Sequence, residues 1–235
     1  MKKRSQSAFT LIEMLVVISI IAVLAAFAVP ALTSALTKGQ MTGTMNNGRQ
    51  MYLAAQQMAL DGAANSDPNL VWPGDDPANL GTLNAYMTRL VQQNYLKAGD
   101  VQKLLSGPGS SAAVTTGGAP PTQTITVTGT AALKIYPVSD ADASNVIFCT
   151  SRNYLYDTAL SATTGNPAGP NNPFGDKGFI VQRKGGDASI LRPNNAIVQN
   201  GQTANFEAQV GKKPGEAQGT VTTGDPANPP VLSQP

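Results

Sequence analysis

The sequence predicts an α+β fold, in which a long N-terminal α-helix, half membrane segment and half amphipathic spine, packs on a small C-terminal antiparallel β-sheet. Three observations carry that prediction. From Phe9 to Val29 the chain reads FTLIEMLVVISIIAVLAAFAV, 21 residues in which only Thr10, Glu13 and Ser19 interrupt the apolar run. Beyond it, Met41, Met45, Tyr52, Ala55 and Ala59 recur at spacings that share one helical face. In the second half, short runs rich in β-branched and aromatic residues lie between clusters of Gly, Pro, Asn and Asp, as strands do.

The apolar run is justified first. At about 1.5 Å per residue it makes roughly 31 Å of helix, enough to cross a bilayer core. Lys2, Lys3 and Arg4 precede it with no acidic residue before Glu13, which places the N-terminus on the cytoplasmic side by the positive-inside rule. Three readings compete: a secretory signal peptide cut after Ala26-Phe27-Ala28, a plain single-pass anchor, and a segment in which Glu13 has work to do. Glu13 separates them, because a carboxylate inside an apolar membrane helix is costly and tends to be paired and functional. Pro30 follows, and it removes one helix hydrogen bond and crowds the preceding turn, so a kink is expected there.

The residues Ser7-Ala8-Phe9-Thr10-Leu11-Ile12-Glu13, with a short basic leader before them and about twenty apolar residues after, resemble the prepilin signature shared by type IV pilins and type II secretion pseudopilins. The resemblance implies a pilin-like fold, a leader of residues 1–8, cleavage by a prepilin peptidase between Ala8 and Phe9, and N-methylation of Phe9. It further implies that Glu13 pairs with the N-terminal ammonium of a neighbouring subunit and so sets the assembly register. Two charges that are each costly in an apolar core become tolerable together. The family usually has Gly before the cut, where this chain has Ala8, the next smallest side chain. Pro30 sits near the position where helices of the family bend. The implied partners are the peptidase, copies of the chain and other pilin-like subunits, an inner-membrane assembly platform and the membrane itself. The implied location is the inner membrane, single-pass with the head in the periplasm, and a filament after assembly. A type II secretion pseudopilin stands slightly ahead of a type IV pilin, because pilins often carry a C-terminal disulfide loop and one Cys excludes it. The alternative from another class is a membrane-tethered or secreted binding domain that assembles into nothing.

The resulting division is a leader over 1–8, a transmembrane and assembly helix over 9–36, a globular periplasmic domain over 37–210 and a disordered tail over 211–235. Within the globular part, Gly39, Gly43 and Gly48 each weaken a helix by about 1 kcal/mol, so the first half of the spine is expected to be loose. Arg49 to Leu60 is a better helix, ended by Asp61-Gly62. Residues 61–78 read as a loop anchored by Trp72, in which Asp75 and Asp76 serve a turn or helix cap. Leu80, Leu83, Met87, Leu90 and Val91 mark an amphipathic helix over 80–96. Asp100 is expected to cap a short helix ended by Gly107, and Ser106 to Thr122 to be a low-complexity connection. Strands follow at Thr124–Thr128, Leu133–Val138 and Asn145–Thr150. A hairpin of Phe179–Arg183 and Ala188–Leu191 turns through Lys184-Gly185-Gly186-Asp187.

Composition excludes much chemistry. With no His, imidazole bases, Ser-His-Asp and Cys-His nucleophilic sites and His-ligated zinc are impossible. Cys149, inside an apolar strand, reads as a buried inert thiol. No enzyme is expected. The resemblance raises calcium at the loop between Asp157 and Asp176, which contains Asn171-Asn172-Pro173-Phe174-Gly175-Asp176. Two acids supply few of the roughly six to eight oxygens calcium takes, so a plain turn is the expectation and no cofactor is assigned. The basic pairs Arg183-Lys184 and Lys212-Lys213 are too scattered for nucleic acid, and none is expected as a partner. The formal charge of +2 belongs to the precursor, since losing the three leader cations drops the 16 basic side chains below the 14 acidic ones.

Overall fold

A computed structural model describes residues 10–160, 174–224 and 231–232. Helix α1 (Leu11–Asn65) runs through two compact units, one up to Gly39 and one from Gln40 onward, which are described separately. In the first unit α1 is helical without a break through Pro30 and Gly39. The spine in the second unit is also helical throughout, so the loosening expected at Gly43 and Gly48 is corrected. Packing explains it for Gly48, where a β-carbon would stand 3.1 Å from Cys149 Sγ and 3.9 Å from a Leu133 methyl. The missing side chain there admits the sheet.

The end predicted at Asp61-Gly62 also moves, by one turn. Gly62 stays inside α1 because the loop crosses it: a β-carbon would lie 1.8 Å from the Leu70 carbonyl oxygen. The helix stops instead where Ser66 turns left-handed at φ 53° and Asp67 N–H reaches back to the Gly62 carbonyl at 3.0 Å. The helix expected over 80–96 is two pieces, α2 (Pro77–Leu80) and α3 (Leu83–Gln92). Asp76 caps the first through Asn79 N–H, and Thr82 restarts the second by accepting from Ala85 N–H at 3.1 Å. Asn94, at φ 62°, ends α3, with Tyr95 N–H on the Leu90 carbonyl at 2.9 Å. In α4 (Ala98–Leu105) the cap position falls on Lys97, so Asp100 lies in the first turn and is not the cap.

The low-complexity connection is corrected more fully. Ala113–Gly117 forms strand β1, paired antiparallel with β2 (Thr124–Thr128). Gln102 of α4 holds the start of β1 by donating to the Ala112 carbonyl at 2.7 Å and accepting from Val114 N–H at 2.7 Å. Asn84 and Thr88 of α3 accept from Val127 and Ile125 N–H, so the ribbon hangs on two helices by side-chain bonds.

The main sheet is an antiparallel meander of β3 (Leu133–Ile135), β4 (Ile147–Ser151), β5 (Phe179–Arg183) and β6 (Ala188–Leu191). Every residue of β4 and β5 is buried, which requires cover on both faces. On one face Met51, Tyr52, Ala55 and Met58 of the spine form a cluster with Trp72, Leu133, Phe148 and Cys149. A register shift between Ile147 and Cys149 lets the adjacent Phe148 and Cys149 both join that cluster. Trp72 anchors its loop as expected, with ring centroids 6.2 Å from Tyr52 and 5.8 Å from Phe148. On the other face Tyr154, Tyr156, Phe179 and Val181 meet Phe206 of a short helix, α5 (Thr203–Gln209), that the sequence reading lacks. Fully burying each large apolar side chain contributes about 1.5–3 kcal/mol, so the sheet is stabilised from both sides.

Within the segment expected to be disordered, Gly211 to Lys213 and Leu232 are buried, while most of residues 215–223 is exposed. Lys212 N–H donates to the Asn145 carbonyl at 3.0 Å, and Ile147 N–H donates to the Lys212 carbonyl at 2.7 Å. Lys213, 4% exposed, donates to the Gly224 carbonyl at 2.9 Å and lies 4.8 Å above the Tyr156 ring. Leu232 is buried in the spine-side cluster and donates its N–H to the Ile135 carbonyl at 2.7 Å.

Candidate assembly helix

Among the described residues, nothing covers α1 from Leu11 to Leu36. Its apolar side chains are exposed throughout, with Leu11 at 84% and Phe27 at 78%. An 18-residue window of it is apolar enough to cross a membrane, and none of that window is buried. A helix apolar on every side is stable only inside an apolar surrounding, whether lipid or other helices. Ser19 and Thr33 send their hydroxyls back to the carbonyls of Val16 and Pro30, at 2.8 and 2.9 Å, so their polarity is absorbed within the helix.

The first turn holds the one carboxylate. Thr10 stands at the cap position: its hydroxyl oxygen accepts from Glu13 N–H at 3.3 Å, while Glu13 Oε2 accepts from Thr10 N–H at 2.8 Å and from the Thr10 hydroxyl at 2.7 Å. This is a reciprocal capping box, which satisfies two N–H groups that a helix start leaves open. A negative side chain here also complements the helix dipole. Thr10 is thus the helix-capping residue, and the pattern Thr-x-x-Glu before an apolar run signals it. Ala8 and Phe9, the expected cleavage and methylation pair, lie outside the described residues.

The other candidates resolve into structure. Asp76 is a helix cap, and the Asp75 carboxylate accepts from Asp140 N–H at 2.9 Å. Cys149 is fully buried, and burial pushes its thiol up to about 12. Both basic pairs hold the head together. Arg183 binds Asp187 and the Gln209 and Val210 carbonyls at the end of α5, and Lys184 Nζ binds the Asp142 carbonyl at 2.7 Å. Most of the loop considered for calcium, residues 161–173, lies outside the described residues. Of its flanking acids, Asp157 accepts from Val198 N–H at 2.5 Å and Asp176 sits 3.1 Å from Lys177. Among the described residues no three His, Cys, Asp or Glu side chains group as metal ligands.

A capped, predominantly apolar N-terminal helix, followed in the chain by a spine helix and antiparallel sheets, makes a pilin-like α+β architecture. Residues 3–29 match the family model described as the prokaryotic N-terminal methylation motif. The chain is 34% identical over 74 residues to the type IV major fimbrial protein FimA of Dichelobacter nodosus, covering 32% of this chain and 47% of that protein. It is 40% identical over 78 residues to the fimbrial protein EcpC of Eikenella corrodens, covering 33% of this chain and 46% of that one. The chain therefore spans about half the length of the curated relatives it matches. No solved structure matches it. The chain carries the prokaryotic N-terminal methylation motif and is similar to type IV fimbrial proteins, in line with the resemblance read from Ser7 to Glu13.

Proposed function

We propose that the chain is a structural, non-enzymatic subunit of a pilus-like filament, a type IV pilus or the related type II secretion pseudopilus. A prepilin peptidase removes residues 1–8 between Ala8 and Phe9 and methylates the new amino group of Phe9. The subunit waits in the inner membrane as a single-pass protein with its head in the periplasm, until an assembly platform draws it out. Phe9 to Val29 then packs in the filament core among copies of the chain and other pilin-like subunits. Pro30 provides a kink that lets the membrane half adjust to its neighbours. Glu13 pairs with the Phe9 ammonium of an adjacent subunit, and since only one axial offset brings the two together, the pair selects the register.

The observation that carries this reading is the unpacked apolar helix, joined to a methylation motif over residues 3–29. One observation favours the second reading, a membrane-tethered or secreted binding domain that does not assemble: Glu13 already has a partner in Thr10 of its own chain. Mass spectrometry of the mature protein separates the two. N-methyl-Phe9 is expected at its start, whereas a start at Val29 removes Glu13 and sinks the filament reading. A pair of substitutions then isolates the charge. Gln at a third helical position still completes a capping box, but it carries no charge. Both Glu13→Gln and Glu13→Ala are expected to be processed yet to lose most filament yield, and a normal yield from Glu13→Gln refutes the register pairing.

A further inference from the structure

Between the one-turn 3-10 helix Pro193–Asn195, the loop after it and helix α5 lies a cup of about 240 Å³. Its walls carry six carboxamides, from Asn194, Asn195, Gln199, Gln202, Asn205 and Gln209, and no charged side chain lines it.

The amides are held in place by one hydrogen bond across the cup and by local bonds on either wall. Asn195 Nδ2 donates to Gln209 Oε1 at 2.6 Å, tying the one-turn helix to α5. Gln199 Nε2 donates to the Asn194 carbonyl at 2.7 Å, and Asn205 Nδ2 donates to Gln202 Oε1 at 2.5 Å. The backbone N–H of Arg192 fixes the other end of Asn195 at 3.1 Å. Each pairing uses one end of an amide and leaves the other, so Gln202 and Gln209 still present NH₂ groups while Gln199 and Asn205 present carbonyl oxygens. Phe206 and Ile197 provide the apolar part of the lining, and Phe206 is itself fixed edge-on by Tyr156 at 5.1 Å.

We infer that this cup is a binding site for one unit of an uncharged saccharide. Hydroxyl groups both donate and accept, and a neutral wall that offers both amide donors and amide acceptors matches them without the desolvation cost of an ion. The absence of charged lining argues against phosphate, carboxylate or cationic ligands. The volume takes a single ring, whereas an extended peptide needs a longer groove. Pre-paired amides lose little freedom on binding, which is how a small polar ligand gains affinity. The site lies on the head and is independent of processing, methylation and helix assembly.

Saturation-transfer NMR on the full-length chain in a sugar-free phosphocholine detergent tests it, with D-glucose, D-galactose and N-acetyl-D-glucosamine as probes and D-glucuronate and a short Asn/Gln peptide as controls. Transfer to at least one neutral sugar is expected, with a dissociation constant in the roughly millimolar range for so small a ligand. Gln202→Ala and Asn205→Ala alter exposed side chains, so melting should be unchanged while affinity falls about tenfold. Three results each overturn the inference: no transfer to any neutral sugar, transfer undiminished in both variants, or transfer to the peptide or glucuronate alone.

Discussion

The docking of the spine on the sheet can be measured at Gly48. A β-carbon placed there meets Cys149 Sγ at 3.1 Å, whereas one placed at Gly43, in the same helix, meets nothing within 4 Å. Replacing Gly by Ala inside a helix gains about 1 kcal/mol of propensity at either site. At Gly43 the gain is unopposed, so Gly43→Ala should raise the melting temperature by roughly 2–4 °C for a chain of this size. At Gly48 it is opposed by overpacking, typically about 1–3 kcal/mol, because Cys149 is fully buried in a strand whose every residue is buried. Gly48→Ala should therefore range from neutral to roughly 2 kcal/mol destabilising. Adding Cys149→Ala removes the obstructing sulfur, and the double-mutant cycle should return a favourable coupling of roughly 1–2 kcal/mol. Circular dichroism melts of the full-length chain in detergent provide all four values. If Gly48→Ala stabilises as much as Gly43→Ala, and the coupling is zero, the spine does not pack on β3 and β4 and the helix-on-sheet argument fails.

Gly62→Ala would force a β-carbon to within 1.8 Å of the Leu70 oxygen, so a loss of at least about 2 kcal/mol is expected in urea melts, and an unchanged midpoint would remove the close approach. Leu232→Ala should cost roughly 2–5 kcal/mol, the usual range for truncating a buried Leu, and no loss would return the C-terminal segment to a loose tail. Burial raises the Cys149 thiol from its ordinary 9.0 to about 12, so the folded state holds the proton more tightly than the unfolded one. The stability this contributes is fully present below about pH 9 and is lost as pH rises toward 12. At pH 8, alkylation by iodoacetamide should proceed no faster than global unfolding, and rapid labelling of the folded protein would refute the burial.

What the sequence made legible were the features whose cause is local. The apolar run, the Met stripe and the hairpin of β5 and β6 each follow from periodicity or from a glycine pair within a few residues, and β2, β5 and β6 fall on the expected bounds. Features that depend on distant partners were not legible. Strand β1 offers only Ala113 and Val114 as apolar side chains, and its place is decided by Gln102 and by pairing with β2. The segment from Gly211 has the composition of a tail, yet Lys212 and Lys213 become buried because backbone carbonyls from Asn145 to Gly224 accept their N–H groups.

Thr10 is a different case, because its signal was local and the reason it matters is energetic. A search for the partner of Glu13 that considers only charges leads to a neighbouring subunit, but the capping box shows the carboxylate already accepting two hydrogen bonds at home. In the proposed filament, pairing with a Phe9 ammonium then exchanges satisfied bonds for an ion pair and does not rescue an orphaned charge. Such an exchange contributes little net attraction, since desolvating the pair offsets much of its Coulomb energy. The binding energy must come from burying side chains such as Leu11, Phe27 and Leu32, while the ion pair penalises every axial offset but one. Truncating those apolar residues should weaken assembly in proportion to the area removed, whereas substituting Glu13 should cut the yield of ordered filament by letting subunits that still associate slip in register.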